Sequence, residues 1–116
     1  MIPNGEAHPT ARRFRGLEWT TVHGHRVPVA DSPLSRLLGL ALLGRERAGP
    51  GLLIPRCRSV HTFGMRFRLD VVFLDSGWKV IARRRGVPPG HVLLERGADA
   101  VLELPSRSER DRQAYR

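Results

Sequence analysis

Arg56-Cys57-Arg58-Ser59-Val60-His61-Thr62-Phe63-Gly64-Met65-Arg66-Phe67-Arg68-Leu69 is the stretch on which the fold turns. Odd positions carry Cys57, Ser59, His61, Phe63, Met65, Phe67 and Leu69, whereas even positions include Arg56, Arg58, Arg66 and Arg68. A repeat of two sends successive side chains to opposite sides of an extended chain, so the stretch predicts strand with a core-facing odd side and a basic outer side. Gly64 marks a bulge or bend at which this parity can change. Immediately downstream, Val71-Val72-Phe73-Leu74 is apolar on both faces, as a central strand must be. Asp75-Ser76-Gly77 then reads as a tight turn, and residues 78–82 return as the antiparallel partner.

Working outward, strands are expected over residues 17–22 and 27–30 around the short turn His23-Gly24-His25. Asp31 or Ser32 can cap a helix, and Pro33 suits its first position. Leu34, Leu37, Leu38, Ala41 and Leu42 recur at helical spacing, and Gly44 is placed to end the helix. Gly39 inside that helix costs about 1 kcal/mol relative to Ala, which predicts close packing at that point. Residues 52–54, 91–94 and 100–104 complete the expected strands, with a break at Val87-Pro88-Pro89-Gly90. Short strands with frequent Gly and Pro and one helix predict a mainly-β (α+β) fold. We expect a small antiparallel β-sandwich or barrel with one α-helix at about residues 33–43. Residues 1–16 read as a flexible lead-in, 17–105 as the β-rich domain, and 106–116 as a charged, disordered tail.

The chain has 116 residues, enough for one domain with its own core. Hydrophobic residues are 41% and charged ones 27%, the mixture of an ordinary soluble protein. No apolar run approaches the roughly 18 residues of a membrane span. The opening Met1-Ile2-Pro3-Asn4 lacks the basic start and apolar stretch of a secretory signal, so a cytoplasmic location is expected. Cys57 is the single cysteine, which excludes an internal disulfide and an all-cysteine metal site. The formal charge is +9, and 19 of the 20 basic residues are Arg, Lys79 being the other. Such a skew can come from genomic base composition alone. The sum draws the protein only weakly toward polyanions.

Three stretches carry a family likeness: residues 36–45, residues 51–75, and residues 98–105 with Val101-Leu102-Glu103-Leu104-Pro105. The chain resembles the bacterial and archaeal family known as domain of unknown function 192. The resemblance implies a small mainly-β sandwich or barrel with one helix. It implies no established activity, cofactor or catalytic residue, so no functional residue is carried over. The chain departs from the family pattern at Arg68, where many members have proline, and at Gly77, which comes one place early. Most members also continue past Leu-Glu-Leu-Pro with a glycine and a closing strand, where this chain turns to charged sequence. Loss of that strand would leave an exposed sheet edge open to a protein partner or to self-association.

Candidate chemistry begins with Cys57, His61 and Met65, soft donors spaced by four. Four residues of strand advance the chain by about 13 Å, so a shared metal or a Cys-His nucleophilic pair requires a sharp bend. No metal site and no cofactor are expected. His61 with Asp70 forms the second candidate, a pair able to act as general base or to orient a polar ligand at a cleft mouth, with Thr62 adding a hydroxyl. Core and loop support is the competing reading of His61. Arg56, Arg58, Arg66 and Arg68 form the third, a row with about 7 Å between alternate residues that matches a polyanion, against the plainer reading of a solvated strand face. Only seven aromatic residues and no nucleic-acid-binding motif argue against nucleic acid as the partner. The sequence therefore predicts a small-ligand-binding or protein-interaction module. The alternatives are a small enzyme using His61 and Asp70, or a weak polyanion binder.

Overall fold

A computed structural model describes residues 11–106. Residues 107–116 of the expected 106–116 tail and the first ten residues of the lead-in lie outside the described residues, whereas Ser106, expected in that tail, is buried with its N–H on the Arg68 carbonyl. The elements are β1 (Trp19–Val22), β2 (His25–Pro28), α1 (Pro33–Leu38), α2 (Arg45–Ala48) and β3 (Leu52–Pro55), then β4 (Ser59–His61), β5 (Leu69–Leu74), β6 (Val80–Val87), β7 (Val92–Leu94) and β8 (Ala100–Pro105). Strands lie in each region foreseen from the sequence, although the long one expected over residues 56–69 is reduced to β4 and the start of β5. They form a four-stranded sheet in the order β3-β8-β5-β6 and two ribbons, β1-β2 and β4-β7, each antiparallel throughout. The main sheet stays open, so the fold is not a barrel.

Alternation along the sheet explains its double-sided burial. Leu52, Ile54, Leu69, Val71, Phe73 and Val101 enter the larger core, which is covered by the helical segments and the β4-β7 ribbon. Leu53, Val72, Leu74, Ala100 and Leu102 face the other way and pack against Val22 and Val27 of the β1-β2 hairpin. Strand β5 has a hydrogen-bonded neighbour on each side and an apolar layer on each face, as its unbroken apolar run requires. His23 and Gly24 both have positive φ, the two-residue turn that suits the twist of a tight hairpin.

Three expectations change. The first concerns the helix, which starts where expected, with Ser32 and Ser35 forming a reciprocal capping box and Pro33 at its first position, but ends at Leu38. Gly39 takes φ 54°, the chain turns through residues 40–43, and α2 follows as a separate helix. The second concerns residues 11–16, expected in a loose lead-in. They include a 3-10 turn, Arg12–Phe14, that buries Ala11 and Phe14 in the larger core. The third is the alternating stretch, which is not one strand. Met65 N–H bonds the Thr62 carbonyl across a turn in which Gly64 has φ 79°, and parity reverses there. Val60 and Thr62 are buried before the turn, and Met65, Phe67 and Leu69 after it. The sheet edges are β3 and β6. Val29 bridges Leu53 and covers part of the β3 edge, while no described strand pairs with the outer edge of β6.

Gly51, at φ 134°, lets the start of β3 lie directly on β8: a Cβ there would sit 2.5 Å from the Glu103 carbonyl oxygen and 2.7 Å from a Leu104 methyl carbon. Gly51→Ala should lower stability in urea unfolding by about 2–4 kcal/mol, because strain and backbone collision act together. Gly90→Ala, at φ 92° with open space around it, should cost only about 1 kcal/mol.

Candidate functional site

Glu103 belongs to the larger core by strand parity, on the same side of β8 as Val101. Its side chain is 3% exposed, and its Oε1 has no hydrogen-bond partner. Burial pushes the carboxyl up to about 8, with the Leu40 backbone N–H opposing the rise. Glu103 is therefore predominantly a neutral acid at pH 7, one O–H donor and a carbonyl acceptor, in a place where an ionised carboxylate would be costly.

The Gly39 corner makes room for it. A Cβ on Gly39 would lie 2.8 Å from Glu103 Oε1. Gly39 N–H donates to the Ser35 carbonyl at 2.9 Å, and Arg13 Nη1 donates to the Gly39 carbonyl at 3.0 Å. The close packing expected at Gly39 is thus real, and its neighbour is a carboxyl from the far end of the chain. Sequence reasoning missed Glu103 as a site residue. The signal was there in Val101-Leu102-Glu103-Leu104, where an acid shares the inward parity of an otherwise apolar strand.

Above Glu103 lies a pocket of about 50 Å³, lined by Arg36, Leu37, Gly39, Cys57, Ser59 and His61 among others. Arg36 donates to the Pro55 and Arg56 carbonyls at 2.5 and 3.1 Å, fixing α1 against the end of β3. Cys57 Sγ donates to the Ser59 carbonyl at 3.1 Å, and burial pushes its thiol up, opposite to the shift that activates a nucleophile. His61 Nδ1 accepts from Phe63 N–H at 3.1 Å, which places the ring proton on Nε2, 3.3 Å from the Leu37 carbonyl. Both ring nitrogens are engaged. Cys57 and His61 share this pocket, whereas Met65 is buried in the core. Among the described residues no group of three His, Cys, Asp or Glu could hold a metal ion.

The mouth is apolar on one flank and basic on the other. Leu37 is 67% exposed, and Phe63, 54% exposed, stacks on His61 with ring centroids 5.8 Å apart. Val92 lies opposite His61 and Leu94 opposite Ser59 in the β4-β7 pairing, so they share that face, and they are 66% and 57% exposed. Arg56, Arg58 and Arg96 line an adjoining depression with Cys57, Ser59 and Leu94.

The other expected constellations come apart. Asp70 lines a separate cleft and does not meet His61. It shares the parity of Val72 and Leu74, and so lies on the hairpin side of the sheet, with Oδ1 accepting from Gly86 N–H at 2.8 Å. Thr62 is buried and fully engaged, its hydroxyl donating to the Pro88 carbonyl and accepting from His91 N–H, each at 2.8 Å. The arginine row is broken by the turn after Thr62. Arg56 pairs with Asp31 at 3.2 Å, Arg58 lies beside it in the same depression, and Arg68 donates to the Gly86 carbonyl. Arg66 stays exposed beyond the turn.

The buried acid sets a pH dependence. Its folded-state value of about 8 lies above the ordinary 4.5, so between those limits the folded protein holds a proton that the unfolded chain has lost. Stability should fall as pH rises through this window and level off above it, by roughly 5 kcal/mol in all. Glu103→Gln should remove most of this slope and be the more stable protein at pH 8 and above, as read by urea unfolding across pH.

Comparisons with known proteins agree with this architecture. A UPF0127 protein from Thermococcus sibiricus is 30% identical over 97 residues, covering 80% of this chain, which spans 60% of that relative's length. A crystal structure of a protein of unknown function from Novosphingobium aromaticivorans superposes with a TM-score of 0.62 at 21% identity, covering 92% of this chain and 87% of that one. A protein from Sinorhizobium meliloti, described as a candidate transcription regulator, gives 0.58 at 20% identity, covering 80% and 81%. These two share the fold. The family model for domain of unknown function 192, described as an uncharacterized ACR, matches residues 14–113, nearly the whole domain and the pocket within it, and the chain belongs to that family.

Proposed function

We propose that the protein is an interaction module that receives an oxygen acceptor, a carboxylate or carbonyl of a partner chain, in the Glu103 pocket. The observation that carries this reading is a buried carboxyl with an unpartnered oxygen at the base of an open pocket. Buried polar groups are nearly always satisfied, and an exception needs an explanation. A neutral acid donates one hydrogen bond, which an acceptor oxygen completes.

Size and surroundings support a macromolecular partner. About 50 Å³ holds the tip of one side chain, whereas pockets that enclose a whole small molecule run to several hundred Å³. Exposed Leu37, Phe63, Val92 and Leu94 beside the pocket provide the apolar centre of a contact surface. Arg56, Arg58 and Arg96 next to it favour an acidic partner. An enzymatic role for His61 is less well supported, since proton transfer would require it to release Leu37 or Phe63.

Amide NMR with acetate and with a short peptide of alternating Leu and Glu tests the proposal. Both probes should shift the Gly39, Leu40 and His61 amides saturably, the peptide binding more tightly. Glu103→Gln, which keeps a donor, should retain the effect, and Glu103→Leu should abolish it. Affinity should drop about tenfold or more between pH 7 and about pH 9.5, as the carboxyl loses its proton. Shifts that do not saturate, or that persist unchanged at the higher pH, would rule the proposal out.

A further inference from the structure

The hairpin side of the sheet carries a second, much larger cleft of about 550 Å³, whose lining includes His25, Arg45, Asp70, Val72, Arg83 and Arg85. We propose that this cleft binds a phosphate monoester of a small hydroxylated molecule, with Arg83 and Arg85 on the phosphate and Asp70 on a neighbouring hydroxyl.

The Arg83-Arg84-Arg85 run is divided by the strand that carries it. Arg84 does not line the cleft, and it forms an ion pair with Glu95 at 3.1 Å. Arg83 and Arg85 both line it, and among the described residues neither guanidinium has a hydrogen-bond or ion-pair partner. Alternate residues of a strand stand about 7 Å apart at Cα, a separation from which two long forked side chains converge on one tetrahedral dianion. A monocarboxylate offers oxygens enough for only one such fork.

Three further groups complete the cleft. Arg45, held to the Ser106 carbonyl at 2.6 Å, adds positive charge to the wall, and His25 approaches from the β1-β2 hairpin. Asp70 is fixed by Gly86 N–H at the irregularity where β5 and β6 change register. A carboxylate among three guanidinium groups weakens a purely electrostatic attraction. What it offers instead is an acceptor for a hydroxyl, which inorganic phosphate cannot supply in the same geometry. Val72 and Leu104 form an apolar floor, and the volume matches the few hundred Å³ typical of small-molecule sites.

Ribose 5-phosphate serves as the probe, followed by calorimetry and by the amide signals of Asp70, Val72 and Gly86 at physiological salt. Saturable binding is expected, with inorganic phosphate about tenfold weaker and ribose alone silent, each hydrogen-bonded charge contributing on the order of a tenfold factor. The double variant Arg83→Gln/Arg85→Gln, at exposed positions and checked for unchanged melting, should weaken ribose 5-phosphate at least about tenfold. Asp70→Asn should narrow the gap between ribose 5-phosphate and phosphate, and Glu103→Gln should leave both unchanged. No saturable binding, binding indifferent to the double variant, or tighter salt-dependent binding of a single-stranded oligonucleotide would each overturn the proposal.

Discussion

Strand β8 runs through the middle of the main sheet, and its alternation sends the Glu103 side chain into the larger core, where it is almost wholly buried. Neighbouring elements must therefore accommodate a carboxyl group in apolar surroundings. Helix α1 stops one residue before it would fill the required space. Gly39 brings its bare Cα against the carboxyl oxygen, Leu40 turns an N–H toward it, and Arg13 pins the corner from the other side. A side chain at residue 39 would collide with the carboxyl, since a Cβ there would lie 2.8 Å from Oε1. The corner is thus determined by a residue more than sixty positions away, and the helix boundary follows from packing rather than from local propensity.

The sheet separates two solutions to the problem of an acid in a folded interior. Asp70, half-buried on the hairpin side, takes a backbone N–H from the β6 irregularity and stands among guanidinium groups. Glu103, on the other face, has no cationic partner, and burial keeps it protonated over most of the neutral range. Neither position is interchangeable with the other. Burial makes the Glu103 face sensitive to pH, whereas the Asp70 face gathers its charged groups around a cleft open to solvent.

Strands were legible in the sequence because parity is a local property: Val71-Val72-Phe73-Leu74 needs two covered faces wherever it lies, and β5 has them. The inward odd side expected of the alternating stretch holds only after the turn, for Met65, Phe67 and Leu69, whereas before it the even residues Val60 and Thr62 are the buried ones. Gly64 signalled a turn, but which parity resumed after it depended on Met65 and Phe67 finding the core. The pairing of His61 with Asp70 failed for the same reason, since a reversal between them sends the two side chains to opposite faces of the sheet. Glu103 was readable as an inward acid in an apolar strand. Its pocket was not, because that is assembled from α1, the chain before β4 and β8, segments that no short-range pattern connects.

Cys57 and His61 both line one pocket, which a continuous strand would have prevented, and the bends at Arg56 and Arg58, Arg56 with φ 51°, allow it. Proximity alone does not create a catalytic pair. The thiol donates to Ser59 and is harder to ionise than a free cysteine, while the imidazole bridges Phe63 and Leu37 through both nitrogens. Each hydrogen bond holds the wall of the pocket in shape and removes a lone pair or proton from chemistry. The group left with unmatched capacity is the Glu103 carboxyl, and a neutral acid in a fixed, buried position is better suited to recognising an acceptor than to attacking one.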